Sequence, residues 1–102
     1  MAWYHYLSGF GAGMFLANFF PHFIKGITGD PFPTPFSNPP GKGLSSPLTN
    51  VLWSLFNLLV GCFLFKSGNV STENIMSAGL FFAGFTLISI CSSIHFTHKD
   101  KI

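Results

Sequence analysis

The sequence predicts an all-α integral membrane protein with three transmembrane helices and an ordered, proline- and glycine-rich loop between the first two. Three observations lead to this fold class. Charged residues are 8% of the 102 positions, against roughly 25% in soluble domains. Three long apolar stretches fill most of the chain, and six of the seven prolines lie between the first two of them. We therefore expect a single membrane domain over residues 1–102.

The first predicted span runs from about Trp3 to Phe23, close to the roughly 20 apolar residues that cross a bilayer. Aromatic residues at its start are typical of the membrane interface. The segment lacks the basic start and the cleavage site of a signal peptide. Because Pro21 has no amide hydrogen to give to the preceding turn, we expect it to kink or end this helix.

The loop is predicted over residues 24–47. Its two phenylalanines, Phe32 and Phe36, flank prolines whose backbone is confined to extended geometry. At a membrane such rings can pack back over the helices. We therefore expect the loop to form a lid over the helix ends and not a free linker.

The second span is predicted at about residues 48–66. Pro47 suits the first position of a helix, where a missing amide hydrogen costs nothing. Gly68 and Asn69 follow the apolar run, and either residue can adopt the left-handed conformation that ends a helix.

The third span is predicted at about residues 72–96, with Ser71 or Thr72 as its N-cap. Glu73 would then lie at the positive end of the helix dipole. The connection to the second span is about residues 67–71, which predicts an antiparallel hairpin of the last two helices.

The distribution of lysines predicts the orientation. Lys25, Lys42, Lys99 and Lys101 fall on one side of the predicted spans and Lys66 on the other. The positive-inside rule then places the loop and the C-terminus in the cytoplasm and the N-terminus outside. A net charge of +2 without any arginine argues against a nucleic-acid partner.

Small residues recur every four positions in two of the spans, at Gly9, Gly13 and Ala17 and again at Gly79 and Ala83. Such spacing lets helix backbones approach closely in lipid. Two interpretations stay open: a seam between copies of a homo-oligomer, or packing against another helix of the same chain.

Polar residues of all three spans are predicted at the membrane face under the loop, because each span begins or ends there. Intramembrane polar groups are costly unless partnered, and they tend to face the bundle interior. We expect the candidate ligand-binding set to consist of Asn18, His22, Asn50, Asn57 and His95, with Trp53, Phe32 and Phe36 as apolar walls.

The same polar cluster allows other interpretations. His22, Cys91 and His95 are weak candidates for a transition-metal site, but their spacing is not that of a zinc motif. Alternatively, the amides satisfy each other and the loop ends, and the cluster is structural. Cys62 and Cys91 are predicted at depths that differ by roughly 20 Å, too far apart for a disulfide.

One part of the sequence resembles a known group of proteins. The residues that carry the resemblance are the segments 17–23, 34–36, 39–47 and 50–53 together with Gly26, Gly29, Phe32 and Asn57. Over about residues 9–61 they are similar to a group of small, uncharacterised bacterial membrane proteins. The resemblance implies a bacterial inner-membrane location and implies that the loop and its flanking residues act as one unit; it brings no activity or cofactor.

The leading functional hypothesis is an oligomeric helical bundle that binds a lipid-like or small polar ligand under the loop, in contact with membrane lipids. The alternative is an accessory subunit of a larger membrane protein complex, with a purely structural polar cluster. An enzyme is the weakest hypothesis, because the spans carry no paired carboxylates and no nucleophile beside a base.

Overall fold

The computed structural model describes residues 3–99, and within them the chain forms three α-helices: α1 (Trp3–Ile27), α2 (Pro47–Ser67) and α3 (Ile75–Phe96). The predicted three-helix, all-α architecture is confirmed. By length and composition, α2 and α3 are apolar enough to cross a membrane. Lys101, one of the lysines from which the orientation is predicted, lies outside the described residues.

The central element of the fold is α1, which packs along both of its neighbours, whereas α2 and α3 scarcely touch. An edge-to-face contact of Phe65 with Phe81, with ring centroids 5.2 Å apart, joins the two near their connection. The predicted hairpin therefore does not pack as a pair. Its connection crosses the start of α1, where Gly68 lies against the backbone of Gly9.

Close contact with α1 is permitted by glycines. A Cβ atom added to Gly13 would collide with the backbone of Phe81 in α3, and one added to Gly84 would collide with the carbonyl oxygen of Phe10 in α1. The ladder of Gly9, Gly13 and Ala17 is buried within the chain. Of the two interpretations of this ladder, packing inside one chain is the one found.

The second small-residue pair is placed differently. Gly79 and Ala83 are both exposed on α3, and a Cβ atom added to Gly79 would meet nothing within 4 Å. They do not pack against α1, as an intramolecular role would require. The small residue Gly84, one position further along the helix than Ala83, does pack against α1.

Pro21 does not end the first helix, which continues to Ile27 instead of stopping near Phe23. An interior proline removes one helical hydrogen bond, but packing holds the following turn in place. Gly26 is buried, and a Cβ atom there would lie 2.8 Å from the carbonyl oxygen of Pro47. The loop is correspondingly shorter than predicted and covers residues 28–46.

The start of α2 is as predicted, with Pro47 as its first residue and the Ser46 side chain accepting a 3.1 Å hydrogen bond from the backbone N–H of Thr49. At its other end Asn69 takes the left-handed conformation at φ 55°. Both ends therefore follow from local capping rules.

The start of α3 differs from the prediction. Its N-cap is Asn74, whose side chain accepts from the backbone N–H of Ser77, and not Ser71 or Thr72. The backbone N–H of Asn74 bonds to the carbonyl oxygen of Ser71 at 3.2 Å, so residues 71–74 form a turn before the helix. Glu73 consequently precedes α3 and lies outside its first turn.

Candidate ligand site beneath the loop

The loop is a folded structure with its own hydrogen bonds. Its two arms pair at Phe32 and Ser45, whose backbones exchange bonds of 3.2 and 3.0 Å. Beside this bridge the hydroxyls of Thr34 and Ser45 are 2.6 Å apart, and all three residues are buried. A hydrogen-bonded, buried loop of this kind is fixed relative to the helices it covers.

Asn50 at the start of α2 ties the loop to the bundle. Its side chain is fully buried, and its amide nitrogen lies 2.9, 3.3 and 3.0 Å from the carbonyl oxygens of Phe32, Ser45 and Ser46. These three acceptors fix the nitrogen's position, so the amide oxygen faces His22. Asn50 is therefore an anchor of the loop. The prediction that it contacts a ligand does not fit a side chain whose amide nitrogen and oxygen are both already hydrogen-bonded within the chain.

His22 in α1 is the polar centre of the site. Its Nδ1 lies 2.8 Å from the amide oxygen of Asn50, and since that oxygen can only accept, Nδ1 donates. The ring is 2% exposed and meets Phe32, Trp53 and Phe96 edge-on, at centroid distances of 5.5, 6.5 and 6.2 Å. A charged imidazole would be costly among aromatic rings. The neutral ring leaves Nε2 as a hydrogen-bond acceptor, without a partner among residues 3–99.

A cavity of about 310 Å³ lies between the loop and the helices. The loop contributes segments 33–35 and 40–41, and the helices contribute Asn18, His22, Trp53 and Phe96. Ligand pockets in proteins begin at roughly this volume. Three of the predicted site residues are thus brought together around one space. Phe96 was not predicted, although it follows His95 at the loop end of α3.

The cavity continues into an open groove along α1. Two further recesses of about 350 Å³ each share Asn18 with it, one lined by Met14, Trp53, Asn57 and Ile88 and the other by Cys91, His95 and Phe96. The groove exists because α2 and α3 flank α1 without closing on each other. Asn18 is half-buried where the three spaces meet.

The floor of the groove carries a second polar pair. The side-chain nitrogen of Asn18 donates to the side-chain oxygen of Asn57 at 3.1 Å. Asn57 is buried and donates in turn to the backbone carbonyl of Trp53 at 2.8 Å. One hydrogen bond therefore joins Asn18 to Asn57, as the structural interpretation expects, and both residues also line the groove.

His95 holds the tip of the loop from α3. Its Nε2 lies 2.7 Å from the carbonyl oxygen of Gly41, which makes Nε2 the donor. Gly41 has φ +73°, and a Cβ atom there would lie 3.2 Å from the same nitrogen. Only glycine fits this position without strain.

Phe32 and Phe36, the two loop residues predicted as apolar walls, lie in different surroundings. Phe32 is 5% exposed and packs behind His22 and on Phe96, with a ring distance of 4.6 Å to the latter. Phe36 is 67% exposed and meets Trp53 edge-on at 5.2 Å, where it borders a separate apolar recess with Phe56. Phe32 thus supports the site from inside the loop, while Phe36 lies outside it.

The candidate metal residues do not assemble. Within residues 3–99 there is no group of three or more His, Cys, Asp or Glu side chains able to hold a metal ion. His22 bonds to Asn50, and His95 bonds to Gly41. Cys62 and Cys91 are both free and exposed. The weak metal hypothesis for His22, Cys91 and His95 is therefore unsupported.

One polar group of the site was missed at the level of sequence. The indole Nε1 of Trp53 is buried and has no hydrogen-bond partner among the described residues. Trp53 lines both the cavity under the loop and the groove below it. A tryptophan in an apolar helix gives no sequence signal that its N–H is unpaired.

Comparisons with protein-family models, with curated proteins and with solved structures found nothing that matches this chain.

Proposed function

We propose that this chain is an integral membrane protein whose three helices all cross the bilayer. The apolar windows of α2 and α3 are only 22% and 11% buried, whereas the core helix of a soluble domain would be mostly buried. Large exposed side chains such as Leu59, Phe63 and Phe82 would face water without a membrane. Because α1 lies between these two helices along its length, it shares their depth in the bilayer.

The proposed orientation places the loop and the C-terminus in the cytoplasm of a bacterial inner membrane. Lys25, Lys42 and Lys99 lie at the loop end of the bundle and Lys66 at the other end, which is the bias that the positive-inside rule requires. Assembly into a homo-oligomer belongs to the same proposal. Its support is the small pair Gly79 and Ala83 on the exposed face of α3.

The proposed activity is retention of a lipid-like or small polar ligand beneath the loop. The observation that carries it is the cavity of about 310 Å³ into which His22 contributes an acceptor without a protein partner. The cavity opens into a groove between α2 and α3, through which an amphiphile could enter from the bilayer. Such a mostly apolar recess with few polar groups is typical of small-molecule sites.

Native mass spectrometry of the protein released from native-lipid nanodiscs tests this proposal. Asn18→Phe places a bulky ring where the three spaces of the groove meet, and Ile24→Phe adds a ring at an exposed position of the same helix. We expect wild type and Ile24→Phe to carry a bound small molecule and Asn18→Phe to lose it. Circular dichroism verifies that both variants keep their helices.

The same spectra test the second candidate, an accessory subunit of a larger membrane complex. The observation that favours it is the hydrogen bonding of Asn18 to Asn57 and of Asn50 to the loop, which needs no ligand. A chain found without a small molecule but with a stoichiometric protein partner would replace the ligand-binding proposal with this one.

A further inference from the structure

We infer that the ligand is an uncharged amphiphile with a hydroxyl head, the chemistry shared by long-chain alcohols, prenols and diacylglycerols. This inference rests on the proposed ligand-binding function and assigns the class of molecule. It follows from three properties of the site: the unpaired acceptor of His22, the unpaired donor of Trp53, and a lining that has no lysine among the described residues.

The acceptor is Nε2 of His22. Its Nδ1 donates to Asn50, an arrangement fixed by the three backbone carbonyls around the Asn50 amide. A neutral imidazole with one nitrogen donating has the other as an acceptor. A ligand atom at this position must therefore donate a hydrogen. A hydroxyl can do so, but an ionised carboxylate or a ketone cannot.

The donor is Nε1 of Trp53. This N–H is buried without a partner among the described residues, and the ring meets His22 edge-on at a centroid distance of 6.5 Å. A buried donor left unpaired is unfavourable, because it has lost its hydrogen bond to water without gaining another. A group that accepts from Trp53 and donates to His22 removes this cost. A hydroxyl group does both.

Charge in and around the cavity argues against an anionic head group. Within residues 3–99 no lysine lines the cavity or the groove, and the sequence has no arginine. The Nζ of Lys99 lies 6.0 Å from the ring centroid of Phe32, which packs behind His22, and Lys99 is not among the residues that line the cavity. Burying a phosphate or carboxylate without a cationic partner is strongly unfavourable.

The shape of the groove accounts for the hydrocarbon part of the ligand. Below the polar pair the recess is bordered by Met14, Phe15 and Ile88, and it opens between α2 and α3 toward the surroundings. A chain leaving the hydroxyl site along this recess would pass from the cavity into lipid without meeting a charged side chain.

Competition among three amphiphiles with the same tail tests the inference. The full chain in nanodiscs is offered hexadecanol, hexadecanoate and hexadecyl phosphate at equal mole fractions, at a pH where the two acids are ionised, and occupancy is measured by native mass spectrometry. We expect hexadecanol to occupy the site at least about tenfold more than either anion, a difference of about 1.4 kcal/mol, because an anionic head group would be buried without a cationic partner.

Two variants test the pairing directly, and each keeps an aromatic ring in place. Trp53→Phe removes the indole donor, and His22→Phe removes the acceptor. We expect each to weaken hexadecanol binding about five- to tenfold, as the loss of one neutral hydrogen bond requires. His5→Phe at the opposite end of α1 is the matched control and should leave binding unchanged. Trp53→Phe keeps the Asn50–His22 bond, so it remains informative if His22→Phe does not fold.

The outcomes of these experiments distinguish the hydroxyl inference from the proposed ligand binding on which it rests. Preferential binding of either anion, or unchanged hexadecanol binding by Trp53→Phe, would overturn the hydroxyl inference and leave ligand binding intact. Equal, low occupancy by all three probes in wild type and in Asn18→Phe would instead overturn the proposed function itself. Saturable hexadecanol binding that Asn18→Phe abolishes supports both.

Discussion

The two sides of the central helix α1 are held in different ways. Toward α3 the contact is steric, because the backbones touch at Gly13 and at Gly84. Toward α2 the contact also includes polar side chains. Within residues 3–99, the side-chain hydrogen bonds that join α1 to another helix all go to α2, from Ser8, Asn18 and His22.

The α1–α3 contact therefore holds helices together, whereas the α1–α2 contact also positions the polar residues of the candidate site. Close packing at glycines stabilises the helix pair in lipid by van der Waals contact, but it places no polar group where a ligand could bind. Polar pairs fix one register of α1 on α2 and also place an acceptor next to the loop. We therefore expect changes on the α3 side to affect stability first, and changes on the α2 side to affect the loop and the groove as well.

The largest effect is expected from a single methyl group on the α3 side. Gly13→Ala places a Cβ atom on the backbone of Phe81, which cannot move aside as a side chain could. We expect a loss of about 3 kcal/mol in the free energy of unfolding, the upper range for overpacked sites. Titration with denaturing detergent in mixed micelles measures it.

Gly79→Ala is the matched control for this prediction. It makes the same substitution inside a helix, but nothing lies within 4 Å of the added atom. The higher helix propensity of alanine should then leave stability unchanged or raise it by up to about 1 kcal/mol. If the two alanine variants lost equal stability, the α1–α3 contact would not be the tight seam described above.

Asn50→Leu is expected to have the next largest effect, on the α2 side. It leaves three loop carbonyls and His22 without their shared partner, at a cost of about 2–3 kcal/mol. Since Asn50 ties the loop to α2, trypsin should also cleave faster after the exposed Lys42. Both the unfolding free energy and the cleavage rate are measured.

Thr49→Ala is the neighbouring control, because the Thr49 hydroxyl hydrogen-bonds to the exposed cap hydroxyl of Ser46 and does not bond to the rest of the loop. It should change stability by less than about 0.5 kcal/mol and leave cleavage after Lys42 unchanged. Equal proteolysis of the Asn50 and Thr49 variants would mean that the loop's own hydrogen bonds, and not Asn50, hold it in place.

The helices were predictable from local chemistry, but their arrangement was not. Pro47 and Asn69 mark helix ends by rules that need only a few neighbouring residues. The cap of α3 was misplaced because Ser71, Thr72 and Asn74 are all competent N-caps, and only the turn preceding the helix selects the last. The central position of α1 is not encoded in hydrophobicity, since lipid-facing and buried faces are equally apolar.

The candidate site was also predictable only in part, because the sequence shows its polar residues but not the groups that surround them. The polar residues His22 and Asn18 stand out in apolar spans, and topology brings them to the loop end. Which of them faces a cavity depends on backbone carbonyls of the loop, which a sequence does not locate. The side-chain nitrogen of Asn50 is bonded to three of these carbonyls and is not available to a ligand. The N–H of Trp53 can be recognised as unpaired only when the atoms around it are known.

The smallest expected effect tests whether α3 contributes anything polar to the loop. His95→Phe removes one exposed hydrogen bond to Gly41, worth about 1 kcal/mol or less. We expect trypsin cleavage after the adjacent Lys42 to rise modestly while global unfolding stays the same, with His98→Phe as a control for the exposed histidine nearby. If instead His95→Phe exposed Lys42 as fully as Asn50→Leu does, the loop would be held from both sides of α1, and the division into a steric seam and a polar seam would apply only below the loop.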